Sequence, residues 1–327
     1  MLVAPGVLWM RMPLFAALPW INVWAIAEPE GWAVVDTGID SAPTREAWAA
    51  AFAGAMGGTP VSRVLVTHMH PDHCGLAGWL TARFKVRLWM SRLEYLTCRL
   101  MAADTQRAAP AEALDFYRAC GWDAAAIDRY REKFGAFGAM IAPLPEAFRR
   151  LHDGETLRIG AHEWEVVVGN GHSPEHACLY CPSLKLLIAG DQVLPKISSN
   201  VSVYPMEPDA DPLADWQNSI VALKRRIPDD VLVLPAHNSP FHGLHRRLDQ
   251  LATSHERALE RLQEALRQPR RVVDVFEALF SRPIGAGLLG MATGEAMAHL
   301  VRLERTGDAV RTCDGAGVWW WRRPTGA

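Results

Sequence analysis

The chain has 327 residues, half of them hydrophobic, and its 36 acidic side chains nearly balance 34 basic ones. This length allows one large domain or two smaller ones, each with its own core. The balanced charge gives no overall attraction toward nucleic acid or anionic membrane. No stretch reaches the roughly 18–20 uninterrupted apolar residues of a membrane span. We therefore expect a soluble, cytoplasmic protein with no membrane partner.

Strands and helices alternate in the first part of the chain. Strands are predicted at "INVWAIAEP", "WAVVDTGID", "VSRVLVTH" and "KVRLWMS". A helix at "APTREAWAAAFAGAM" ends at the pair Gly57-Gly58. A second helix is predicted to continue to about Phe84, with Asp72 as its N-cap. This alternation indicates an α/β layered domain.

Residues 92–150 have a different pattern, with three helical segments and no predicted strand. We interpret them as a helical insertion between strands. Strands are predicted again at "ETLRIGAHEWEVVVGNG", "ACLYCPSLKLLIAGDQV" and "DVLVLPAH", the second of them a hairpin that turns at Pro182-Ser183.

The last part of the chain is mainly helical. A long charged helix follows His245, and two shorter ones are predicted at about Val272–Phe280 and Gly294–Thr306. A hairpin at "DAVRTCDGAGVWWWRR" completes the order helix–helix–helix–hairpin, which is typical of a winged helix. We therefore predict a catalytic domain over residues 1–245 and a winged-helix-like domain over residues 246–327.

Candidate metal ligands follow the predicted strands. Four stand within six residues of each other: His68, His70, Asp72 and His73. Pro71 breaks the strand there, so that a loop can turn all four side chains inward. Three more follow later strands: His172, Asp191 and His237. Ligands bind where the strands of α/β layers end, and imidazole and carboxylate groups suit zinc, and also iron or manganese.

The segments "VDTG", "HMHPDH", "GHSPEH", "AGDQ" and "PAH" occur in this order over roughly residues 20–240. They resemble the five motifs of the metallo-β-lactamase superfamily. The resemblance implies an αββα sandwich with a binuclear metal site at one edge. It further implies that one metal is held by His68, His70 and His172, the second by Asp72, His73 and His237, and that Asp191 bridges both.

Two further residues are expected to support these ligands. The resemblance implies that Asp36 of "VDTG" orients a ligand, although Asp36 could also be a turn aspartate ahead of Thr37-Gly38. His176 of "GHSPEH" is expected to be a buried supporting histidine rather than a ligand.

The chemistry expected of such a site is hydrolysis. Two divalent cations, which we expect to be Zn²⁺ with iron or manganese as alternatives, would bind and activate a bridging hydroxide. Asp191 and Asp72 are the expected catalytic carboxylates, with Asp72 holding or relaying the proton. Asp191 resembles the glyoxalase II and RNA-processing branches, because another residue type replaces this carboxylate in the antibiotic-degrading lactamases.

The substrate is expected to bind under the helical insertion and beside the segment after Asp191. This gives four candidate contacts: Tyr117, Lys196, Ser199 and Asn200. Lys196 could bind a carboxylate or phosphate of the substrate, or it could be a solvated loop lysine.

Hydrolysis of a small-molecule thioester, ester or lactone is therefore the first functional hypothesis. Endoribonuclease activity on single-stranded RNA is the second, a mononuclear-iron dioxygenase the third, and a regulatory protein that retains its metal the fourth. RNA binding would use Arg302 and Arg305 and the arginines beside Trp319–Trp321. We favour instead that these tryptophans pack the last domain onto the catalytic one, or onto the partner subunit of a homodimer.

Overall fold

The structure is a computed structural model that describes residues 1–15 and 18–324. The largest β-sheet in these residues contains the N-terminal strands. Its strands lie side by side in chain order: β1 (Leu2–Ala4), β2 (Val7–Pro13), β3 (Trp20–Glu28), β4 (Gly31–Val35), β5 (Val61–Leu65), β6 (Leu88–Met90) and β7 (Phe148–Arg150). Neighbours from β1 to β4 are antiparallel, and those from β4 to β7 are parallel.

The second sheet follows in the chain and has the strand order β12-β11-β10-β9-β8. Its strands are β8 (Thr156–Ile159), β9 (His162–Gly169), β10 (His176–Cys181), β11 (Leu186–Gly190) and β12 (Leu232–Pro235). β11 and β12 are parallel, and the other pairs are antiparallel. The hairpin between β10 and β11 turns where the sequence predicted it.

The two sheets pack against each other through a core that includes Trp24, Leu65, Trp164 and Ile188. Successive side chains of a strand point to opposite faces of its sheet. Leu65 accordingly faces the second sheet, whereas its neighbours Val64 and Val66 join the core under the outer helices. Burial on both faces explains why Val64, Leu65 and Val66 are all apolar.

Helices cover the outer face of each sheet. On the larger sheet lie α1 (Ala42–Ala53), α2 (Pro71–Cys74) and α3 (Ala77–Phe84), with Trp48 and Leu80 in their core. On the second sheet lie α7 (Pro212–Arg226) and α8 (Leu244–Ala265), with Trp216 and Leu248 in theirs. This arrangement confirms the αββα sandwich.

The expected role of Asp72 as an N-cap is wrong. α2 begins at Pro71, so that Asp72 lies inside its first turn and His70 occupies the cap position without a side-chain cap bond. The carboxylate of Asp72 instead lies near His237. Gly75 separates α2 from α3, so the two are not one continuous helix.

The insertion contains α4 (Arg92–Ala103), α5 (Ala111–Ala119) and α6 (Ala124–Lys133), followed by a 3₁₀ turn at Ala136–Met140. The expectation that it contains no strand is wrong, because β7 at its end pairs with β6. β7 has only three residues, all half-buried, and it has no apolar alternation that would reveal it. Backbone pairing at the sheet edge forms this strand.

The C-terminal segment continues from α8 through a 3₁₀ turn at Val272–Val275, α9 (Phe276–Leu279) and α10 (Leu289–Arg305) to the hairpin β13 (Val310–Cys313) and β14 (Trp319–Arg322). The predicted element order is therefore present. The predicted boundary at residues 245 and 246 falls in the first turn of α8; this boundary and the winged-helix assignment stay predictions. Across residues 1–15 and 18–324, no helix is both long and apolar enough to cross a membrane.

Candidate metal centre

Seven histidine and aspartate side chains converge at one edge of the sandwich, on the segments that follow β5, β9, β11 and β12. They form two groups, and within each group the potential ligand atoms lie within 4.8 Å of one another. The first group is His68, His70, His172 and Asp191, and the second is Asp72, His73 and His237. The structure thus brings together all seven ligands that the sequence predicted.

The first group is centred on His68, whose Nε2 lies 2.9 Å from His70 Nδ1 and 3.3 Å from His172 Nε2. His172 Nε2 is also 3.4 Å from Asp191 Oδ2. Three imidazole nitrogens and one carboxylate oxygen therefore face a common point.

Asp191 lies between the two groups. Its Oδ2, which faces His172, is also 3.5 Å from His73 Nε2. Its Oδ1 is 3.5 Å from His237 Nε2, and that nitrogen is 3.4 Å from Asp72 Oδ2. One carboxylate thus faces both groups, as a bridging ligand would.

The geometry fits metal ions. His73 Nε2 and Asp191 Oδ1 are buried and have no hydrogen-bond partner among the described residues. Ligand atoms bound tetrahedrally at about 2.1 Å are roughly 3.4 Å apart, which matches the separations between Asp191 and its three histidines. The donor set suits zinc, and also iron or manganese.

The protonation tendencies of the two groups differ. Burial, and after it the neighbouring His172, lowers the pKa of His70 to about 3. Burial and His73 likewise lower the pKa of His68. Burial would also lower the pKa of His73, but the carboxylates of Asp36, Asp72 and Asp191 raise it well above its usual value. The second group therefore attracts positive charge, which a bound cation supplies.

Asp36 supports the second group. Its carboxylate accepts hydrogen bonds from Thr67 N, Thr67 Oγ1 and His73 Nδ1, at 2.8, 2.9 and 2.8 Å. The bond from Nδ1 leaves His73 Nε2 free to face Asp191 and Asp72. Asp36 has φ of 63°, a left-handed conformation that costs energy in a non-glycine residue and is often retained at functional sites.

Asn200 and Ser199, two of the four predicted substrate contacts, form hydrogen bonds with candidate metal ligands. His172 Nδ1 donates to the carbonyl oxygen of Asn200 at 2.7 Å, and Ser199 Oγ donates to the backbone oxygen of Asp191. Of the other two, Lys196 is exposed. Tyr117 is buried and stacks on Trp122, with 4.1 Å between ring centroids.

His176 lies beside the ligands and is fully buried. Its Nε2 accepts a hydrogen bond from the backbone N–H of Asp191 at 3.1 Å, and its ring stacks on His68 with 4.7 Å between centroids. These contacts position two ligands, which is the supporting role expected of it.

Sequence reasoning missed Glu94, a fully buried carboxylate in α4. It accepts hydrogen bonds from Met69 N at 2.9 Å, Ser173 Oγ at 2.6 Å and Glu175 N at 2.7 Å. Glu94 therefore joins the helical insertion to the two loops that carry the three histidines of the first ligand group. Nothing in its own segment distinguishes it from an exposed glutamate in a first helical turn.

Asn22 was missed as well. Its Nδ2 donates to the carbonyl oxygens of Pro235 and Asn238, at 2.8 and 2.6 Å, and so fixes the loop that carries His237. The signal in the sequence is an amide within the apolar run that starts at Trp20, and the structure shows that this amide is fully buried.

Comparisons with known proteins agree with this geometry. The model of the metallo-β-lactamase superfamily matches residues 21–237, and that of the metallo-β-lactamase-like C-terminal domain matches residues 259–324. A β-lactamase domain protein from Burkholderia ambifaria has a similar structure, with a TM-score of 0.92 and 40% sequence identity. The match covers 99% of this chain and 94% of that protein's chain.

Two more distant relatives have 25% identity. A metallo-β-lactamase family protein from Thermus thermophilus has a TM-score of 0.81, with 99% of this chain and 100% of that chain covered. A protein from Aquifex aeolicus matches over 176 residues, which are 53% of this chain and 66% of that protein's length. From the two family matches and the site geometry, we conclude that the chain belongs to the metallo-β-lactamase superfamily.

Proposed function

We propose that the protein is a hydrolase that holds two zinc ions and cleaves a small-molecule thioester, ester or lactone. The observation that carries this proposal is the carboxylate of Asp191, which faces both groups of ligands: its Oδ2 lies near His172 and His73, and its Oδ1 lies near His237. Bound zinc supplies Lewis acidity, which lowers the pKa of water toward ~7 and stabilises negative charge on an attacked carbonyl oxygen.

The protein's own carboxylates have distinct roles in this proposal. Asp191 is buried and holds both ligand groups at a fixed separation. Asp72 has a side chain that is 26% exposed, with its Oδ2 3.4 Å from His237 Nε2. Asp72 can therefore accept a proton from water at the site and pass it to the leaving group.

Two exposed apolar side chains close to Ser199 and Asn200 in the chain support a small acyl substrate. The segment that supports Asp191 and His172 is flanked by Ile197 and Tyr204, both of which are exposed. Exposed apolar side chains of this kind can contact the apolar part of a small ligand.

RNA is the second candidate, but three of the arginines that it would use are engaged within the chain. Arg302 pairs with Asp211 at 3.1 Å, and Arg305 donates to the backbone oxygen of Asp209. Arg311 lies over Trp319 and Trp321. We therefore rank RNA cleavage below small-molecule hydrolysis, and the iron dioxygenase third.

Elemental analysis combined with one substrate panel tests the proposal. The panel contains acyl-thioesters, esters, lactones, β-lactams, phosphodiesters and single-stranded RNA. We expect about two zinc ions per chain and turnover of a thioester, ester or lactone. RNA cleavage that weakens steeply with salt, or iron together with oxygen consumption, would replace the proposal by the corresponding alternative.

Lys196→Ala is expected to raise KM for an anionic thioester about 5-fold and to leave kcat unchanged, because an exposed lysine contributes about 1 kcal/mol to binding an anion. Steady-state kinetics with an anionic and a neutral thioester measure the effect. Lys185→Ala is the matched control, since Lys185 is also exposed but pairs with Asp230. An equal KM in Lys196→Ala and wild type would show that Lys196 is only a solvated lysine.

A further inference from the structure

A cavity of about 420 Å³ lies where the C-terminal helices meet the segment after Asp191. Ser198 lines it from that segment, His255 from α8, and Glu295 and His299 from α10. His255 and His299 are only 4% and 2% exposed, whereas Ser198 is exposed. The cavity therefore has a buried inner wall and an open rim.

The two histidines form a chain of hydrogen bonds that fixes both tautomers. His299 Nδ1 lies 2.8 Å from the carbonyl oxygen of Glu295, which can only accept, so this nitrogen carries the proton. His299 Nε2 is then an acceptor for His255 Nδ1, 3.2 Å away. Burial lowers the pKa of His299, and burial followed by the neighbouring His299 lowers that of His255 to about 3, so neither ring carries a second proton.

His255 Nε2 consequently presents a bare lone pair. The atom is buried, and no hydrogen-bond donor within residues 1–15 and 18–324 reaches it. A buried acceptor without a partner is costly, and an N–H or O–H group of a ligand in the cavity would satisfy it.

The remaining lining indicates what else the ligand carries. Much of the wall is apolar and is formed by Ala258, Leu279, Phe280, Pro283 and Ile284. Two exposed arginines, Arg261 and Arg282, lie at the rim, and neither pairs with a carboxylate in the described part of the chain. Arg261 Nε donates to the backbone oxygen of Ala278, which leaves its terminal nitrogens for an anion.

We propose that this cavity binds an acyl amide with an anionic end. The acyl chain lies along the apolar wall, the amide N–H donates to His255 Nε2, and the anion faces Arg261 and Arg282. This inference goes beyond the proposed function, since the binding requires no turnover.

The proposed ligand site is also connected to the metal centre. Glu295 Oε2 accepts a hydrogen bond from Asn200 Nδ2 at 2.8 Å, and the carbonyl oxygen of Asn200 accepts from His172 Nδ1. Two hydrogen bonds therefore link the lining of the cavity to a ligand of the first group.

Calorimetric titration of the zinc-loaded, 327-residue chain tests the inference. The probes are N-octanoylglycine and N-octanoylsarcosine, which differ in that a methyl group replaces the amide hydrogen in the second. We expect wild type to bind N-octanoylglycine about 10-fold more tightly, as one hydrogen bond to a buried acceptor implies. Absence of N-octanoylglycine binding at about 1 mM, the weak end of the affinity scale, would overturn the inference.

Variants assign the preference to His255. His255→Phe is expected to reduce the difference between the probes to less than about 2-fold, because the acceptor for the amide hydrogen is then absent. His152→Phe, at an exposed histidine outside the cavity, retains the difference. A full preference in His255→Phe would overturn the inference. Arg282→Ala changes a residue on the exposed rim and keeps the inference testable even if His255→Phe does not fold. It should lower the affinity for both probes several-fold. Unchanged affinities would contradict the proposed contact between Arg282 and the anion.

The two proposals fail separately in these experiments. Thioester turnover without probe binding overturns the cavity inference alone. Probe binding without turnover of any thioester, ester or lactone overturns the proposed function alone.

Discussion

The Asp191→Asn variant is expected to fold normally, to bind fewer metal ions than wild type, and to lose at least about 10³-fold in kcat/KM. Loss of a group that only orients a ligand costs ~10–100-fold, and Asp191 faces both ligand groups directly. Asparagine keeps the size of the side chain but replaces one oxygen by an amide NH₂, which cannot bind a cation, and it removes the negative charge. Elemental analysis and the kinetics of ester or thioester hydrolysis measure both effects.

Asp230→Asn is the matched control for this variant. It makes the same change at a side chain that is 57% exposed and pairs with Lys185 rather than with a metal ligand. It should retain full metal content and wild-type rates. Two metal ions per chain and wild-type turnover in Asp191→Asn would refute a bridging role for this carboxylate.

The ligands of the centre could be predicted from the sequence because the signal for each is local. His172, Asp191 and His237 each stand within three residues of the end of a buried strand. Polar side chains at that point have no place in the core, and the layered fold brings the strand ends to one edge. The alternation of apolar strands with helices indicated an α/β layered domain, and the resemblance carried by the five motifs implied the sandwich.

The groups that position the ligands could not be predicted in the same way. Ser173 and Glu94 are 79 residues apart in the chain, and Asn200 and Glu295 are 95 apart. Such hydrogen bonds depend on how the loops and the insertion pack, which no local pattern encodes. Ser199 and Asn200 are predicted as substrate contacts, and the sequence does not show that they also hydrogen-bond to Asp191 and His172.

Short strands and helices also could not be predicted from the sequence, because their few side chains form no recognisable pattern. β7 has three residues, and its pairing with β6 depends on the sheet edge rather than on its own side chains. The position of Asp72 inside α2 likewise follows from contacts of its carboxylate with the second ligand group, which override its preference for a helix cap.

Glu94→Ala is expected to lower the free energy of unfolding by about 3 kcal/mol, because it leaves the buried donors of Met69, Ser173 and Glu175 without an acceptor. It should also weaken zinc binding by ~10–100-fold, since Met69 lies between two ligands and Ser173 follows a third. Urea unfolding measures the first effect, and competition with a chelator measures the second.

Glu146→Ala controls for the loss of a glutamate from the same insertion, because the Glu146 side chain is 87% exposed; both quantities should remain at wild-type values. Glu94→Gln keeps one acceptor oxygen and should fall between Glu94→Ala and wild type. If Glu94 positions the ligand loops, excess zinc restores much of kcat in Glu94→Ala. A destabilised variant with wild-type zinc affinity would instead show that Glu94 only holds the insertion onto the sandwich.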